Sequence, residues 1–295
     1  MTDFVATLIA RPDGAADLAM AVTACMAAVP SESEELSPGE ATDIFFASPD
    51  FAEIVRARLE LAVAGIPVDI IVQPVEKRRK RLLITDMDST IIGQECIDEL
   101  ADFAGLKAAV AGITARAMRG EIEFEPALRE RVTLLAGLPA TTIDRVLAER
   151  ITLNPGAKTL VWTMRAHGAH TILVSGGFTA FTDKVAKLAG FNESQANELI
   201  IANGKLAGRV KEPILGRSAK LAALEDAIIR LGMDIEDTLA VGDGANDLAM
   251  IRRAGLGVAY HAKKAVAEAA AARIDRTDLT ALLYAQGYKR HQFVD

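Results

Sequence analysis

The chain has 295 residues, of which 51% are hydrophobic and 25% are charged, and this globular composition excludes a disordered chain. At about 150 residues per domain, the length predicts about two domains. Lys and Arg number 33 against 40 Asp and Glu, and the resulting net charge of −7 argues against non-specific binding of nucleic acid.

No part of the sequence predicts a membrane span or an export signal. The clearest apolar run, at 18–29, is shorter than the ~20 residues that a spanning helix needs. The first residues lack a basic segment, and charged residues interrupt the apolar positions that follow. Cys25 and Cys96 form no metal or redox spacing, so we interpret both as small buried residues. These features predict a cytoplasmic protein that contacts no membrane.

The first 76 residues predict a small α+β unit. Short β-rich runs alternate with two segments of strong helix formers, which end near Pro30 and Gly65. The order is strand, helix, strand, strand, helix, strand, which is typical of a ferredoxin-like fold. The predicted strands are 4–9, 31–36, 43–47 and 68–72, and the predicted helices are 15–28 and 50–64.

Five consecutive basic residues follow, at 77–81. A basic run can bind nucleic acid or an anionic surface, but it is also typical of a solvated linker between two domains. Because the whole chain is acidic, we interpret 77–81 as a solvated linker and predict no nucleic-acid partner.

Residues 77–295 predict an α/β domain. Three apolar strands, at 82–85, 171–174 and 239–241, each run directly into a cluster of small and polar residues. Continuous apolar strands separated by helices indicate a parallel sheet covered on both faces, with ligands bound outside the carboxyl ends of the strands. The three clusters should therefore meet at one edge of the sheet. A further strand is predicted at 257–259.

Residues 94–152 are rich in helix formers and carry few strand signals. This segment is too long for a simple crossover between two strands, so we interpret it as a helical insertion over the site. Further along, the Asn-Gly pair at 203–204 predicts the turn of a β-hairpin.

Aspartates dominate two of the three clusters: Asp86 and Asp88 in the first, Asp243 and Asp247 in the third. Carboxylates crowded at one sheet edge raise one another's pKa, and a bound divalent cation relieves the repulsion between them. Oxygen ligands are those that Mg²⁺ selects, and no nearby His or Cys cluster favours zinc. The sequence therefore predicts a Mg²⁺ site.

Ser175, Gly176 and Lys220 add features that suit a phosphate group. Glycine lets backbone amides approach an anion, a serine hydroxyl can donate to it, and Lys220 is the only lysine between residues 212 and 262. An aspartate can attack phosphorus to form an aspartyl-phosphate, while a second carboxyl group protonates the leaving oxygen and then activates water. The clusters therefore predict phosphoryl-transfer chemistry.

Four motifs in this order resemble those of the haloacid-dehalogenase (HAD) superfamily, and most closely those of its phosphoserine phosphatase family. They are Asp86-Met87-Asp88-Ser89-Thr90, Ser175-Gly176-Gly177, Lys220 and Gly242-Asp243-Gly244-Ala245-Asn246-Asp247. The second aspartate of the first motif indicates the phosphatase branch, because the dehalogenases lack it. The resemblance covers about residues 80–290. It implies a Rossmann-like parallel sheet with a helical cap at about 94–152, and Mg²⁺-dependent hydrolysis of O-phospho-L-serine through an aspartyl-phosphate, the last step of serine biosynthesis.

The resemblance also implies roles for single residues. Asp86 would be the nucleophile and a metal ligand. Asp88 would be the general acid and then the general base, and its backbone carbonyl would also bind the metal. Asp243 would complete the protein ligands, with Asp247 in support. The residues that would hold the phosphoryl group are Ser175, Gly176, Lys220 and Asn246.

In the predicted cap, Glu95 matches the position that receives the substrate ammonium, and Arg131 the position that binds its carboxylate. Met118 and Phe124 match apolar neighbours that close over the substrate. A carboxylate and a guanidinium also suit the two ends of an amino acid on chemical grounds, since arginine offers two-point geometry to a carboxylate. Without the resemblance, each of the two would equally fit an ordinary position on a helix surface.

The N-terminal unit resembles the ACT-like extension of some bacterial phosphoserine phosphatases, by pattern and position alone. Amino-acid binding, formation of a homodimer and a purely structural role all stay open for it.

The residues also allow two other functions for the whole chain. One is the same chemistry on another small phosphomonoester, or transfer of the phosphoryl group to an acceptor alcohol. The other is a non-catalytic amino-acid sensor, against which the intact set of aspartates argues.

Overall fold

The structure, a computed structural model, describes residues 2–118, 121–216 and 218–295, and only the backbone of Met118. Its strands form a four-stranded sheet, a six-stranded sheet and a separate two-stranded hairpin. None of the helices in the described ranges has the length and apolar character that a membrane span requires.

The four-stranded sheet is antiparallel, and two helices pack on it. Its strand order is β2-β3-β1-β4, which is the arrangement of a ferredoxin-like fold and confirms the predicted α+β class. Buried aliphatic side chains such as Leu18, Leu59 and Ile44 form the core between sheet and helices. The elements are β1 (Thr2–Ile9), α1 (Ala15–Ala28), β2 (Glu32–Ser37), β3 (Ala41–Ser48), α2 (Ala52–Ala62) and β4 (Asp69–Pro74).

The remaining elements are a mixture of strands and helices, with five successive helices after β5. The first part contains β5 (Leu82–Thr85), α3 (Cys96–Phe103), α4 (Lys107–Met118), α5 (Phe124–Leu134), α6 (Thr141–Glu149), α7 (Ala157–Ala166), β6 (His170–Phe178), α8 (Thr179–Ala189) and β7 (Glu193–Asn197). The second part contains β8 (Leu199–Ala202), β9 (Lys205–Val210), α9 (Ala219–Leu231), β10 (Thr238–Gly242), α10 (Leu248–Arg253), β11 (Leu256–Tyr260), α11 (Lys264–Ala269), β12 (Ala272–Ile274) and α12 (Ala281–Ala285).

The six-stranded sheet is parallel throughout, with strand order β12-β11-β10-β5-β6-β7, and it confirms the predicted α/β class. From β5 the chain builds the sheet in one direction through β6 and β7, and then in the other through β10, β11 and β12. A ligand crevice lies at the carboxyl ends of the strands where the order reverses in this way. The polar clusters that follow β5 and β10, and the one at the end of β6, therefore lie at the edge of the sheet that favours a ligand site.

Helices α3 to α6 lie between β5 and α7, in the segment predicted to be a helical insertion. The chain leaves and re-enters the six-stranded unit through two adjacent connections, which pair through an antiparallel bridge between Ile92 and Leu153. The predicted hairpin is also present, because β8 and β9 pair across a turn in which Asn203 and Gly204 both have positive φ.

Strand β6 is longer than the sequence pattern predicts. Ser175, Gly176 and Gly177 continue the strand instead of following it, and the register with β7 shifts between Val174 and Phe178. The hydroxyl of Ser175 accepts a hydrogen bond from the Gly177 amide at 2.9 Å, which supports the irregular backbone. An irregularity of this kind frees backbone groups from the sheet at the site itself.

The interpretation of residues 77–81 as a solvated linker is wrong for two of the five. Exposure alternates along the segment, so that Arg78 and Lys80 point inward. Lys80 is 6% exposed and donates from Nζ to the Glu236 carbonyl at 2.8 Å. Arg78 joins β3 of the N-terminal sheet to α12, because its guanidinium lies 2.7 Å from Asp43 Oδ1 and donates to the carbonyl of Ala285. The alternation is invisible in the sequence, because all five residues are basic.

We expect Arg78→Met to lower the free energy of unfolding by about 3 kcal/mol or more, because it would leave the buried Asp43 carboxylate without its cation. Urea unfolding would measure the loss. Lys77→Met is the matched control, since it removes the neighbouring but exposed pair with Asp234 and should barely move the unfolding midpoint. Equal effects of the two variants would contradict the buried ion pair as a source of stability.

Candidate active site

Three aspartates lie together at the carboxyl edge of the six-stranded sheet. Asp86 follows β5, while Asp243 and Asp247 follow β10. One carboxylate oxygen from each of the three lies within 4.8 Å of the others. The amide of Asp86 donates to the Val241 carbonyl at 3.0 Å, which fixes the first cluster against the neighbouring strand.

Lys220 connects two of these carboxylates. It lies in the first turn of α9, its side chain is 4% exposed, and its Nζ is 2.6 Å from both Asp86 Oδ2 and Asp247 Oδ1. Burial alone would lower the pKa of Lys220, but the two carboxylates act in the opposite direction and raise it above its usual value. The lysine therefore stays charged and holds Asp86 in a fixed position.

Asp247 has a partner for each oxygen. Its Oδ1 contacts Lys220, and its Oδ2 accepts a hydrogen bond from the Gly244 amide at 2.9 Å. A Cβ atom at Gly242 would collide with the Asp247 carboxylate, so this close approach requires glycine there. Within the described residues, the Asp243 side chain accepts only a long hydrogen bond of 3.4 Å, from the Thr90 hydroxyl. Protein groups therefore engage the Asp243 carboxylate less than that of Asp247, which leaves Asp243 available to a cation.

The acidic cluster fits a hard divalent cation. Burial raises the pKa of Asp86, and the charge of Asp247 raises it further. Burial, Asp247 and Glu95 together raise the pKa of Asp243 to about 6. A divalent cation would offset this repulsion and lower the pKa of both carboxyl groups. Carboxylate oxygens are the ligands that such a cation selects.

Asp88 lies within electrostatic reach of Asp86. Its Oδ1 accepts a hydrogen bond from the Cys96 amide at 3.3 Å, and its Oδ2 would lie 3.3 Å from a Cβ atom built at Gly177. Burial raises the pKa of Asp88 to about 7, and the Glu95 carboxylate contributes to the increase. A carboxyl group with this pKa can release and take up a proton near neutral pH.

The four residues predicted to hold a phosphoryl group line one small cavity, together with Phe124 from the helical insertion. A Cβ atom at Gly176 would lie 3.1 Å from Phe124 Cζ, so the phenyl ring rests against the backbone of β6. Ser175 is 2% exposed and Lys220 is 3% exposed, which makes this wall of the site largely inaccessible to bulk water. The four residues are Ser175, Gly176, Lys220 and Asn246.

Glu95 and Arg131 lie within electrostatic reach of Asp88. Glu95 is the N-cap residue of α3 and accepts a hydrogen bond from the Ser89 hydroxyl at 2.8 Å. Burial lowers the pKa of Arg131, and the carboxylates of Asp98, Glu95 and Asp88 oppose that decrease. Within residues 2–118, 121–216 and 218–295, Arg131 forms no ion pair, and its Nε donates only a long hydrogen bond of 3.4 Å to the Ala127 carbonyl. Its charge therefore remains available to a ligand.

Met118 is the one predicted site residue whose side chain lies outside the described part of the structure.

Sequence reasoning missed Asn197. This residue ends β7 and is 2% exposed. Its Nδ2 donates to the Gly176 carbonyl at 3.0 Å, and its Oδ1 accepts from the Leu215 amide at 2.7 Å. Asn197 thus holds the end of β6 against the loop before α9. A polar residue at the carboxyl end of a strand was the available signal, but the strand itself was not predicted.

Comparisons with known proteins agree with this geometry. Residues 83–252 match the family model of the haloacid dehalogenase-like hydrolases. A phosphoserine phosphatase from Archaeoglobus fulgidus is 45% identical over 235 residues, which cover 79% of this chain and 68% of that one. A HAD-family hydrolase from Salmonella enterica subsp. enterica serovar Typhi superposes with a TM-score of 0.84 and 27% identity, over 97% of this chain and 98% of that one. A phosphoserine phosphatase solved as an analogue of its phospho-aspartyl intermediate is 39% identical, with a TM-score of 0.65, over 70% of this chain and 98% of that one.

Proposed function

The chain belongs to the haloacid dehalogenase-like hydrolases and, within them, to the phosphoserine phosphatase family, and we propose that it hydrolyses O-phospho-L-serine to L-serine and inorganic phosphate. The observation that carries the proposal is the buried Lys220, which bridges Asp86 and Asp247 beside an acidic group suited to proton transfer. Glu95 and Arg131 lie at the same end of the sheet and complement the two charges of an amino acid.

We assign the covalent step to Asp86. Its carboxylate attacks phosphorus, an aspartyl-phosphate forms, and the bond from phosphorus to the serine oxygen breaks. Asp88 gives its proton to that leaving oxygen. In the second step a water molecule attacks the phosphorus of the aspartyl-phosphate, and Asp88 takes the proton from this water. The bond from phosphorus to the Asp86 oxygen breaks, so that inorganic phosphate is released and Asp86 becomes a free carboxylate again. Lys220 keeps Asp86 oriented and offsets negative charge on the phosphoryl oxygens.

Mg²⁺ is the cation that we propose for the carboxylates of Asp86 and Asp243 and for the Asp88 backbone carbonyl. When bound, such an ion offsets the charge of the phosphoryl group and helps to align it with the nucleophile. Asp247 supports this arrangement through its contacts with Lys220 and Gly244.

We propose that the substrate is held by groups on opposite sides of the site. Ser175, Gly176 and Asn246 hold the phosphoryl oxygens, and Glu95 and Arg131 bind the ammonium and the carboxylate. Phe124 and Met118 close over the substrate when the helical segment approaches the sheet. Closure of this kind excludes water from the reacting groups.

Phosphate release from O-phospho-L-serine should depend on the metal. We expect release with Mg²⁺ present, a decrease of at least about 100-fold after treatment with EDTA, and recovery when Mg²⁺ is added in excess, because a catalytic metal supplies several kcal/mol of charge stabilisation. Release that chelation leaves unchanged would contradict the metal site. Metal-dependent release from other phosphomonoesters but not from phosphoserine would assign the same chemistry to another substrate.

Several further predictions accompany this function. The chain is divided into an ACT-like unit at 1–76 and a phosphatase unit at 77–295, with a cap at about 94–152. A homodimer and a cytoplasmic location also stay predictions, as does amino-acid binding by the N-terminal unit.

A further inference from the structure

A cavity of about 720 Å³ lies between the N-terminal sheet and the six-stranded sheet. Residues 9–12 and Glu40 form one side of it, and the loops after β11 and β12 form the other, together with the C-terminal segment. Its volume is within the range of sites that bind small molecules. The catalytic aspartates do not line this cavity, which makes it distinct from the active site.

Three arginines from three separate segments line the cavity, and all three are exposed to solvent. Arg11 follows β1, Arg276 follows β12, and Arg290 begins the last 3-10 helix. In the described part of the chain, none of the three forms an ion pair, and none of their guanidinium groups donates a hydrogen bond; Arg290 only stacks on Phe293. Each guanidinium carries five N–H donors in a planar fork that matches a carboxylate or a phosphate.

The acidic groups of the same cavity, in contrast, already accept hydrogen bonds. Glu40 Oε2 accepts from the Tyr284 hydroxyl at 2.8 Å. Asp278 Oδ1 accepts from the amide and the hydroxyl of Thr280, and Asp295 Oδ1 accepts from the Thr159 hydroxyl. Each of these carboxylates thus has a donor on one of its oxygens. Within the described residues, by contrast, no acceptor contacts the three guanidinium groups, and an anionic acceptor would complement them.

The cavity also touches both connections of the helical insertion. Ser89 and Gly93 belong to the first connection, and Asn154 belongs to the second. Asn154 joins the two, because its Nδ2 donates to the Thr90 carbonyl at 2.8 Å. Ser89 has a positive φ of 54° and donates from its hydroxyl to Glu95 in the proposed substrate site. A molecule that reaches this side of the cavity would contact Ser89, whose hydroxyl donates to Glu95.

We propose that this cavity binds a small molecule with a carboxylate or phosphate group, held by Arg11, Arg276 and Arg290, and that the bound molecule acts on Glu95 through Ser89. Charge-assisted bonds from arginine to such an oxyanion are strong and directional. The effect on Glu95 rests on the proposed function, whereas the binding itself does not.

Titration calorimetry on the full chain tests the binding, with malonate as the carboxylate probe and inorganic phosphate as the phosphate probe. We expect at least one probe to bind, and the double substitution Arg11→Gln/Arg276→Gln to weaken that binding by about tenfold or more. Arg209→Gln is the matched control, because Arg209 is exposed on β9 and lies outside the cavity, and it should leave the binding unchanged.

Lys220→Ala separates this cavity from the active site, where phosphate also binds as a product. Binding that Lys220→Ala weakens and the arginine double substitution leaves unchanged would overturn the proposal, and so would the absence of binding by either probe at millimolar concentration. If only one of the two probes, phosphate or malonate, binds through the arginines, that result identifies the oxyanion that the cavity selects.

Kinetics on phosphoserine test the effect on Glu95. We expect the bound probe to change KM several-fold while kcat changes little, and Arg11→Gln/Arg276→Gln to remove that change. A probe that binds through the arginines without altering KM would overturn the second half of the proposal. A change in KM that persists in the double variant would indicate competition at the active site and would overturn it as well. If the chain released no phosphate from phosphoserine at all, the proposed function would fail while the calorimetry still decided the binding.

Discussion

Asp86→Asn should reduce phosphate release from O-phospho-L-serine by about 10⁴-fold or more, because an amide cannot act as the nucleophile in place of a carboxylate. The substitution keeps the size and shape of the side chain but removes its charge. The contacts with Lys220 and with the Met87 amide therefore stay possible in geometry and become weaker. The decisive measurement is the amount of phosphate bound covalently to the protein. Acid quenching of the wild-type reaction should trap phosphate on the protein, and the variant should trap none.

A matched control exists at the other end of the same two strands. Asp237 precedes β10, is 8% exposed, and lies with its Oδ2 at 3.6 Å from Arg81, which precedes β5. Asp237→Asn therefore removes another mostly buried, cation-paired carboxylate of the same sheet, but far from the proposed nucleophile. We expect its activity to stay within about twofold of the wild type, as for a substitution outside the reacting groups.

The two variants should also differ in stability. Asp86 is one of three crowded carboxylates, and its neutralisation relieves the repulsion that raises its pKa. We therefore expect Asp86→Asn to preserve the unfolding midpoint in the absence of metal, or to raise it. A folded Asp86→Asn variant that keeps the activity of Asp237→Asn would show that another group attacks phosphorus.

The candidate site could be predicted from the sequence because a parallel sheet gathers the carboxyl ends of its strands. Asp86 and Asp243 are far apart in the chain, yet each follows an apolar strand, and the sheet brings those strands side by side. Lys220 was noted because it is the only lysine between residues 212 and 262, and the resemblance to the family motifs implied its role at the phosphoryl group. These signals are local in the sequence, and the rule that parallel strands end at the same edge of a sheet predicts that the residues lie close together.

Other features depend on tertiary contacts that leave no local pattern. Within a run of five basic residues, Lys80 is buried and Arg78 is half-buried, and only their contacts with distant parts of the chain distinguish them from their neighbours. Asn197 lies at the end of a strand whose residues are mostly polar and half-buried, so no apolar run in the sequence indicated this strand. The cavity with Arg11 and Arg276 joins positions more than 260 residues apart, on two units that sequence reasoning treated separately.

Arg131 is expected to determine the selectivity for the amino-acid end of the substrate. Arg131→Gln should lower kcat/KM for O-phospho-L-serine by about 10²- to 10³-fold, because it removes the charge that we assign to the substrate carboxylate. The same variant should hydrolyse a simple aryl phosphate within about threefold of the wild type, since that substrate has no carboxylate and the phosphoryl-binding residues are unchanged. Paired assays on the two substrates give the ratio directly.

Arg129→Gln is the control for Arg131→Gln, because Arg129 lies two positions earlier in α5 but is exposed and pairs with Glu212 at 2.8 Å. It should leave the ratio of the two activities unchanged. Glu95→Gln should shift the ratio in the same direction as Arg131→Gln, through the loss of the partner for the substrate ammonium. Parallel decreases on both substrates in Arg131→Gln would instead indicate that Arg131 supports the closed arrangement of the helices, and the carboxylate of the substrate would then need another partner.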